Sequence, residues 1–372
     1  MKILVTGSSG FIGKNFAIRI SENPEQEVLE FVRGDSIDQL ISCVEKCDAI
    51  VHLAGENRPK SSDAFMQVNG SFTEQLCDVI KSLGKAVPVV LASSIHAGDT
   101  SLYGQSKRVA ETAVKRLADT GVPCVIYRLP GVFGKWAKPN YNSVVATFCH
   151  HIALGEDISI DDADKEIRIV YVDDLIEDIL YVIKNCQTGV HYREISPTYT
   201  ISVGKLAETI YEFKELRRLH TVNRVGLGLT RALYATFVSY LRPNQISVEL
   251  KKNVDSRGNF VEILKTTDCG QISYFTLRPG CVRGNHYHHT KTEKFLVLQG
   301  NACFGFRDLA TGETFEVVVD GDNPRLVETI PGWVHNITNT GKDDVLAVLW
   351  ANEVFDHTCP DTIFSEVSNE KA

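Results

Sequence analysis

The first part of the chain alternates short apolar runs rich in β-branched residues with amphipathic segments of helical spacing. Repeated strand–helix–strand units of this kind predict a parallel sheet covered by helices. The predicted strands span residues 2–6, 28–32, 49–53, 87–92 and 124–128. Ligands of such α/β domains bind at the carboxyl edge of the sheet, so the candidate chemistry is sought there.

The pattern of hydrophobic positions changes twice further along the chain. Residues from about 140 to 244 carry mainly helical patterns, at 172–185, 203–216 and 229–241, which predict a small lobe beside the sheet. Beyond Pro243, short β-rich segments separated by Gly, Asp and Asn predict an antiparallel sandwich or barrel. These strands are predicted at 260–264, 272–277, 295–298, 302–307, 314–319 and 345–350. We therefore divide the chain into domains of residues 1–244 and 245–372.

Composition excludes several classes of protein. The 372 residues, 43% hydrophobic and 23% charged, are typical of a globular protein with more than one core. A net charge of -8 and the lack of a Lys/Arg-rich block argue against nucleic acid as a partner. No apolar run approaches the roughly 20 residues of a membrane span. Without a signal-peptide pattern, a cytoplasmic location is predicted, with the ten cysteines as reduced thiols.

A glycine-rich turn follows the first predicted strand and opens a helix. Gly7, Gly10 and Gly13 permit a tight turn in which phosphate oxygens approach backbone N–H groups at the positive end of the helix. The same spacing also occurs for packing reasons alone. Arg33, at the end of the second strand, favours a 2′-phosphate and hence NADP over NAD, with Glu30 as an alternative ribose partner.

Tyr103 and Lys107 lie four residues apart in a predicted helix and therefore share one face. A phenol near an ammonium group is expected to have a lowered pKa and to act as an acid–base catalyst near neutrality. Ser93 and Ser94 directly follow the strand predicted at 87–92, at the carboxyl edge of the sheet. The three residue types at this edge predict an acid–base catalytic site, although a surface Tyr–Lys pair would have the same spacing.

These elements resemble the extended, sugar-nucleotide branch of the short-chain dehydrogenase/reductase superfamily. The matching segments are 6–13, 48–55, 68–70, 93–94, 103–107, 128–134 and 171–174. The resemblance implies a Rossmann-type domain in which Tyr103 exchanges a proton at the sugar oxygen, Lys107 holds the nicotinamide ribose, and Ser94 polarises the oxygen. Ser93 remains an alternative to Ser94, and Gly131 stands where this branch often has Asn. The implied cofactor contacts are Gly7, Gly10, Phe11, Ile12, Gly13, Arg33, Leu53, Ala54, Gly55, Asn69, Tyr103 and Lys107, and the implied substrate contact is Arg128.

The C-terminal region holds a second set of candidate residues. His286 and His288 lie two apart and face the same side of an extended strand. Glu293 is expected on the next strand, and His335 follows a Pro–Gly turn. Three imidazoles and one carboxylate suit zinc, iron, nickel or manganese, although they would also line a polar pocket without metal. His289 is expected to be exposed and is given no role.

The same region resembles two related families. The residues Gly280, His286, His288, Glu293 and Gly300 match the cupin metal motif, which implies an all-β jelly-roll barrel holding zinc or another divalent metal. Segments 255–262, 283–287 and 294–297 resemble the dTDP-4-keto-6-deoxy-sugar 3,5-epimerases. That resemblance implies that Arg257, Glu262 and Arg283 contact the nucleotide sugar and that Lys294 stabilises an enolate. Three candidates for the base remain open, namely Tyr287, Asp255 and a ligand-exchanging histidine.

The order of the two domains resembles the CapF family of capsular polysaccharide enzymes in UDP-N-acetyl-L-fucosamine synthesis, as does the stretch 134–144. The resemblance implies that the cupin domain epimerises C3 of a UDP-2-acetamido-2,6-dideoxy-4-hexulose and that the first domain reduces C4 with NADPH, giving a 6-deoxy-L-talose derivative. A homodimer through the cupin is expected, since exposed strand edges are commonly covered. Other interpretations are a single-activity reductase or epimerase with a structural metal domain, a sugar-nucleotide sensor without turnover, and a metal-dependent dioxygenase.

Overall fold

The computed structural model describes the chain apart from residues 60, 251, 256–257, 262–264, 267–269, 354–357 and 369–372. The chain forms two compact units, Met1–Ser143 with Glu166–Ile201, and Val144–Lys165 with Ser202–Ala372. The α-helices are α1 (Phe11–Ser21), α2 (Ile37–Lys46), α3 (Asp63–Phe65), α4 (Phe72–Ser82), α5 (Leu102–Ala118), α6 (Val144–Leu154), α7 (Val172–Asn185), α8 (Val203–Arg218) and α9 (Gly228–Val238). A π-helical turn spans Met66–Ser71, and 3₁₀ turns span Ile95–Gly98 and Pro243–Gln245.

The strands of the first 242 residues are β1 (Lys2–Thr6), β2 (Glu27–Phe31), β3 (Ala49–His52), β4 (Val89–Ser94), β5 (Pro123–Leu129), β6 (Gly131–Phe133), β7 (Glu166–Tyr171), β8 (Gly189–Arg193), β9 (Tyr199–Ser202) and β10 (Thr221–Val222). Those that follow are β11 (Ser247–Glu249), β12 (Lys252–Asp255), β13 (Gly258–Val261), β14 (Lys265–Thr266), β15 (Gln271–Leu277), β16 (Val282–Tyr287), β17 (Glu293–Gln299), β18 (Asn301–Asp308), β19 (Thr314–Asp320), β20 (Arg325–Glu328), β21 (Trp333–Asn339), β22 (Val345–Ala351) and β23 (Ile363–Phe364).

The first unit is built on a parallel sheet in the order β2-β1-β3-β4-β5-β8. Its central strands are apolar along their length because helices cover both faces; all of β3, for example, is buried. Helix α2 begins with a capping box at Ser36, and Ser101 caps α5 by accepting from the Gly104 N–H. The predicted parallel α/β sheet is confirmed, and the carboxyl ends of β1, β3 and β4 lie together at one edge.

The second unit contains two five-stranded antiparallel sheets, in the orders β11-β20-β17-β22-β15 and β19-β18-β21-β16-β23. Their inner faces meet through aromatic side chains such as Phe295 and Phe304, whose ring centroids are 5.4 Å apart. The opposite face of the first sheet buries Leu296 and Leu326 with Leu250. The predicted all-β C-terminal architecture is confirmed.

Several details of the second unit differ from the sequence predictions. The sequence does not predict six of the strands beyond residue 245, namely β11, β12, β14, β20, β21 and β23. Strand β21 carries the polar residues His335 and Asn339 on its inner side, so it lacks the alternation of apolar and polar residues from which a strand is predicted. The strand predicted at 260–264 extends into residues outside the described part of the chain. Helices α6, α8 and α9 of the predicted lobe belong to the second compact unit. The boundary at residue 245 stays a prediction. Among the described helices, none has the length and apolarity that a bilayer span requires.

Candidate active sites

The glycine-rich turn lies between the ends of β1 and β3. A Cβ on Gly7, whose φ is +72°, would lie 2.8 Å from the Cα of Ala54, and one on Gly13 would lie 2.2 Å from the Gly7 carbonyl oxygen. Only glycine therefore permits this packing. Gly10 precedes Phe11 and Ile12 at the start of α1 and has no side chain to cap the helix. The first-turn N–H groups thus suit the pyrophosphate of a dinucleotide.

Arg33 lies two residues after the end of β2, at the carboxyl edge of the sheet. Its side chain is 79% exposed, and its Nη2 donates to Glu56 Oε2 at 2.9 Å. Glu30, the alternative ribose partner, accepts from the Ser8 hydroxyl at 2.7 Å. An exposed guanidinium at this position suits a 2′-phosphate, whereas the Glu30 carboxylate already accepts a hydrogen bond from Ser8 of the glycine-rich turn.

The loop Leu53–Gly55 lies beside the candidate catalytic residues. A Cβ on Gly55 would be 3.2 Å from Asn69 Oδ1 and 3.3 Å from Lys107 Nζ. The buried Asn69 side chain holds this loop, since its Oδ1 accepts from the Glu56 N–H at 2.8 Å and its Nδ2 donates to the Glu56 carbonyl at 3.1 Å. The structure therefore brings the predicted cofactor contacts of the first unit to one edge of the sheet.

Ser94, Tyr103 and Lys107 form one group at the end of β4. Ser94 Oγ accepts from the His96 N–H at 3.2 Å and lies close enough to the Tyr103 hydroxyl to influence its pKa. The buried Lys107 Nζ donates to the Ala92 carbonyl at 3.0 Å and lies 5.8 Å from the Tyr103 ring centroid. Burial lowers the pKa of Lys107 to about 8, against the opposing charge of Glu111. A proton donor and an ammonium group are thus available to a carbonyl oxygen beside the dinucleotide turn.

One expectation about this group is wrong. The sequence predicts a lowered pKa for Tyr103, whereas burial raises this pKa in the structure and outweighs the lowering effect of Ser94. A phenol that stays protonated suits donation of a proton to a ketone oxygen, which is the direction that reduction requires.

Glu111 explains the different surroundings of the two serines. Its carboxylate accepts from Ser93 Oγ at 2.6 Å and from both Arg128 Nε at 2.9 Å and Arg128 Nη2 at 2.7 Å. Ser93 therefore faces an ion pair, and Ser94 faces Tyr103, which supports Ser94 as the polarising serine. Arg128, predicted to bind substrate, is held by Glu111 with its side chain 45% exposed. Sequence reasoning missed Glu111, although its position four residues after Lys107 on the same helix was available as a signal.

In the second unit, the structure brings His286, His288, Glu293 and His335 together, with one potential ligand atom from each within 4.8 Å of the others. Glu293 Oε2 lies 3.2 Å from His288 Nε2 and 3.4 Å from His335 Nε2. A bulge at Asn285, with φ of 55°, shifts the β16 register just before His286.

The protonation states of this cluster suit a cation. Burial, with the neighbouring imidazoles, lowers the pKa of His286 to about 3, and burial also lowers that of His335. Burial alone would raise the pKa of Glu293, but His288 and His335 hold it well below its usual range. The buried His335 Nε2 makes no hydrogen bond with any residue in the described ranges. Two imidazoles that burial keeps neutral, an ionised carboxylate and a buried nitrogen without a hydrogen bond fit a divalent metal such as zinc.

The other predicted residues of this unit are placed differently. Arg283 pairs with Ile337 of β21, and Ile337 lies on the same face of β21 as His335. The bulge at Asn285 therefore places Arg283 on that face, where its guanidinium lies 5.5 Å from the Phe275 ring centroid. Lys294 follows Glu293 in β17 and so points to the opposite face, where Glu328 and Arg217 surround it.

Lys294 therefore does not meet the metal cluster, contrary to its predicted role beside an enolate. Burial, reinforced by Arg217, lowers its pKa well below the usual range. Tyr287 alternates with His286 in β16, so its side chain points away from the cluster and packs against the ring of His289. The sequence predicts an exposed His289, and this prediction is wrong, because His289 is buried. Arg257 and Glu262 lie outside the described residues, as does the side chain of Asp255.

The fold and sites define a dinucleotide-type domain joined to an all-β domain, and comparison with known proteins gives the family. Residues 3–201 match the NAD dependent epimerase/dehydratase family, and residues 253–363 match the polysaccharide biosynthesis C-terminal domain. The chain belongs to the NAD dependent epimerase/dehydratase family and carries this second domain.

Some relatives match nearly the whole chain, and others match part of it. The chain is 47% identical over 363 residues to a UDP-2-acetamido-2,6-beta-L-arabino-hexul-4-ose reductase from Pseudomonas aeruginosa, covering 97% of this chain and 98% of that protein. The crystal structure of the capsular polysaccharide assembling protein CapF from Staphylococcus aureus is similar with a TM-score of 0.67 and 38% identity, covering 98% of this chain and all 100% of that one. A Thermus thermophilus UDP-glucose 4-epimerase in complex with NAD, at 17% identity, TM-score 0.52, and coverage of 64% of this chain and 99% of its own, shares the fold.

Proposed function

We propose that the chain is an NADPH-dependent reductase of a UDP-linked 4-keto sugar in polysaccharide synthesis, and that its C-terminal domain epimerises C3 of the same sugar before reduction. The observation that carries the reductase is the Ser94–Tyr103–Lys107 group beside the glycine-rich turn. The reductase named among its full-length relatives supports the substrate class.

The roles of the catalytic residues follow from their surroundings. When bound, NADPH supplies a hydride for the C4 carbonyl carbon. Tyr103 donates its proton to the C4 oxygen as negative charge develops there, and Ser94 donates a hydrogen bond to the same oxygen. Lys107, held by the Ala92 carbonyl, places a positive charge behind the phenol and beside the loop at Gly55. The test is oxidation of NADPH by a UDP-4-keto-6-deoxy-N-acetylhexosamine, with the product mass rising by two hydrogens.

The epimerase part of the proposal depends on the metal cluster. Removing the proton at C3, next to a ketone, creates an enolate, and a divalent ion held by His286, His288, Glu293 and His335 would supply positive charge for its oxygen. Arg283, on the same inner face, supports binding of an anionic nucleotide sugar there. The product of both steps would be UDP-2-acetamido-2,6-dideoxy-L-talose.

A second candidate function is favoured by the position of Lys294. A metal ion and Lys294 were the two groups expected to stabilise the enolate. Because Lys294 lies on the opposite face of β17 from Glu293, its ammonium group is not in the metal site. A reductase whose C-terminal domain binds metal without acting on C3 would agree with that arrangement. Exchange of the C3 hydrogen with solvent separates the two functions.

Cofactor preference is tested at Arg33. We expect Arg33→Ala to raise the KM for NADPH about 10- to 100-fold, because a hydrogen bond to a charged group contributes about 1.5–3 kcal/mol. The KM for NADH should change little. Arg116→Ala, at an exposed position in the last turn of α5, is the matched control. An equal rise in the KM for NADPH and for NADH would show that Arg33 does not bind the 2′-phosphate.

We also propose a homodimer through the C-terminal domain. Strand β15 lies at an edge of its sheet and exposes Ile272 and Tyr274, at 60% and 74%. Such an edge is expected to be covered by a second copy. Light scattering should give twice the 41.3 kDa of one chain, and the double change Ile272→Lys with Tyr274→Lys should shift the mass toward one chain. Tyr211→Lys, on an exposed position of α8, is the control, and a native protein with the mass of one chain would refute the proposal.

A further inference from the structure

The last described segment of the chain, residues 358–368, lies against β16, which carries the candidate ligand His286 and is followed directly by His288. Strand β23 pairs with β16, placing Phe364 opposite His286 and Ile363 opposite Tyr287. The Ser365 N–H donates to the Asn285 carbonyl at 2.9 Å, at the bulge. Arg307 Nη2 donates to the Ser365 hydroxyl at 3.0 Å and to the Glu366 carbonyl at 2.8 Å. The segment is thus fixed by pairing with β16 and by side-chain hydrogen bonds from Arg307 of β18.

The carboxylate of Asp361 organises the turn between His288 and Glu293. Its Oδ1 accepts from the His289 N–H at 2.8 Å, and its Oδ2 accepts from the N–H groups of Thr290 and Lys291, each at 2.7 Å. The Thr290 hydroxyl also donates to Oδ2, at 3.1 Å. Three consecutive backbone donors therefore converge on one side chain from a distant part of the sequence, and this turn sets the separation of the two ligands.

The segment around Asp361 also contacts the ligands in two further ways, one through a backbone carbonyl and one through a side-chain hydroxyl. The carbonyl of Asp361 hydrogen-bonds His288 Nδ1, so Nδ1 carries the proton and Nε2 faces Glu293 Oε2 at 3.2 Å. The Thr362 hydroxyl accepts from Lys291 Nζ at 3.0 Å, and that Nζ lies 3.3 Å from Glu293 Oε1. Partners of this kind fix the tautomer and orientation of metal ligands.

We propose that Asp361 is a positioning residue of the metal centre, whose carboxylate shapes the turn at 289–291 and whose carbonyl fixes His288 for binding a divalent cation. This inference rests on the proposed function only in that the cluster binds metal. Asp361 does not contact the cation; it acts through His288 and the turn. Sequence reasoning could not find it because it stands far along the chain from the ligands and matches no metal motif.

The test uses the full chain, stripped of metal and titrated with Zn²⁺ in competition with a chromophoric chelator. We expect Asp361→Ala to weaken Zn²⁺ binding about 10- to 100-fold, the usual effect of removing an outer partner of a ligand. Asp320→Ala is the matched control, because Asp320 also accepts backbone N–H groups in a turn, from Asp322 and Asn323. The Zn²⁺ affinity of Asp320→Ala should stay within about twofold of native, since the turn that Asp320 holds contains none of the four metal ligands.

A second readout separates positioning from general damage. The visible absorption of bound Co²⁺ reports the geometry of its ligands, and we expect it to change in Asp361→Ala and not in Asp320→Ala. If Asp361→Ala does not fold, Asp361→Asn keeps the size of the side chain and one acceptor oxygen for the turn but removes the charge and the second acceptor, and should weaken Zn²⁺ binding severalfold. Native affinity and an unchanged Co²⁺ spectrum in the Asp361 variant would overturn the inference alone. A native chain that binds neither ion would overturn the proposed metal centre and the inference with it.

Discussion

Replacing Tyr103 with Phe is expected to lower the rate of ketone reduction by about 10²- to 10⁴-fold, the range that a positioned proton donor contributes. The phenol hydroxyl lies beside Ser94, and burial keeps it protonated by raising its pKa. The ring itself packs edge-on against Phe65, with the centroids 5.7 Å apart, so Phe at position 103 should preserve the fold. Steady-state kinetics with NADPH and the 4-keto sugar measure the loss.

The two neighbouring serines provide a matched pair for the same assay. Ser94→Ala should reduce kcat by about 10²-fold, as expected for one donor to a developing oxyanion. Ser93→Ala should retain most of the activity, because the Ser93 hydroxyl donates to Glu111 rather than facing Tyr103. A Tyr103→Phe variant that keeps more than about a tenth of native kcat, or a larger loss from Ser93→Ala than from Ser94→Ala, would contradict this assignment.

Replacing His288 with Ala is expected to weaken metal binding by at least about 100-fold, since loss of an outer partner alone costs about 10- to 100-fold. The change removes an imidazole whose Nε2 lies 3.2 Å from Glu293 Oε2 inside the cluster. The same variant should lose exchange of the C3 hydrogen with solvent, while the chemistry at Tyr103 continues on a substrate that is already epimerised. Chelator competition and product mass spectrometry measure the two effects.

His289→Ala is the matched control for that variant. His289 is the next imidazole in the chain and is buried, but it is not among the residues whose ligand atoms converge. It should keep the metal affinity and the exchange, with melting temperatures reporting any loss of packing. Equal loss of metal from the two variants would mean that the cluster of His286, His288, Glu293 and His335 is not the binding site.

The sequence allowed much of the fold and both candidate sites to be predicted. The parallel sheet followed from apolar runs of strand length, and β15, β17 and β22 lie within a residue or two of their predicted bounds. The Tyr–Lys spacing and the His-x-His…Glu spacing placed side chains together because helices and strands have fixed periods. Strand β21 was missed because it carries polar residues on its inner side.

Other features required the structure. The alternation of strand side chains already separated Lys294 from Glu293, and the error came from carrying over a family role without applying that rule. The inward turn of Arg283 depends on the bulge at Asn285, which no sequence pattern indicated. The pKa of Tyr103 depends on its burial, and Asp361 reaches the turn at 289–291 only through tertiary packing. The spacing of residues predicts which side chains are neighbours within one helix or strand, but it does not predict contacts between residues that are far apart in the sequence.

The central claim, two chemistries in one chain, is tested most directly by mass spectrometry of the product formed in heavy water. The reaction would contain NADPH and a UDP-4-keto-6-deoxy-N-acetylhexosamine free of prior exchange, with native protein, Tyr103→Phe and His288→Ala compared. We predict a reduced product carrying deuterium at C3 from native protein, loss of reduction in Tyr103→Phe, and loss of C3 deuterium in His288→Ala. Reduction by native protein without carbon-bound deuterium from solvent would contradict the epimerase half of the account.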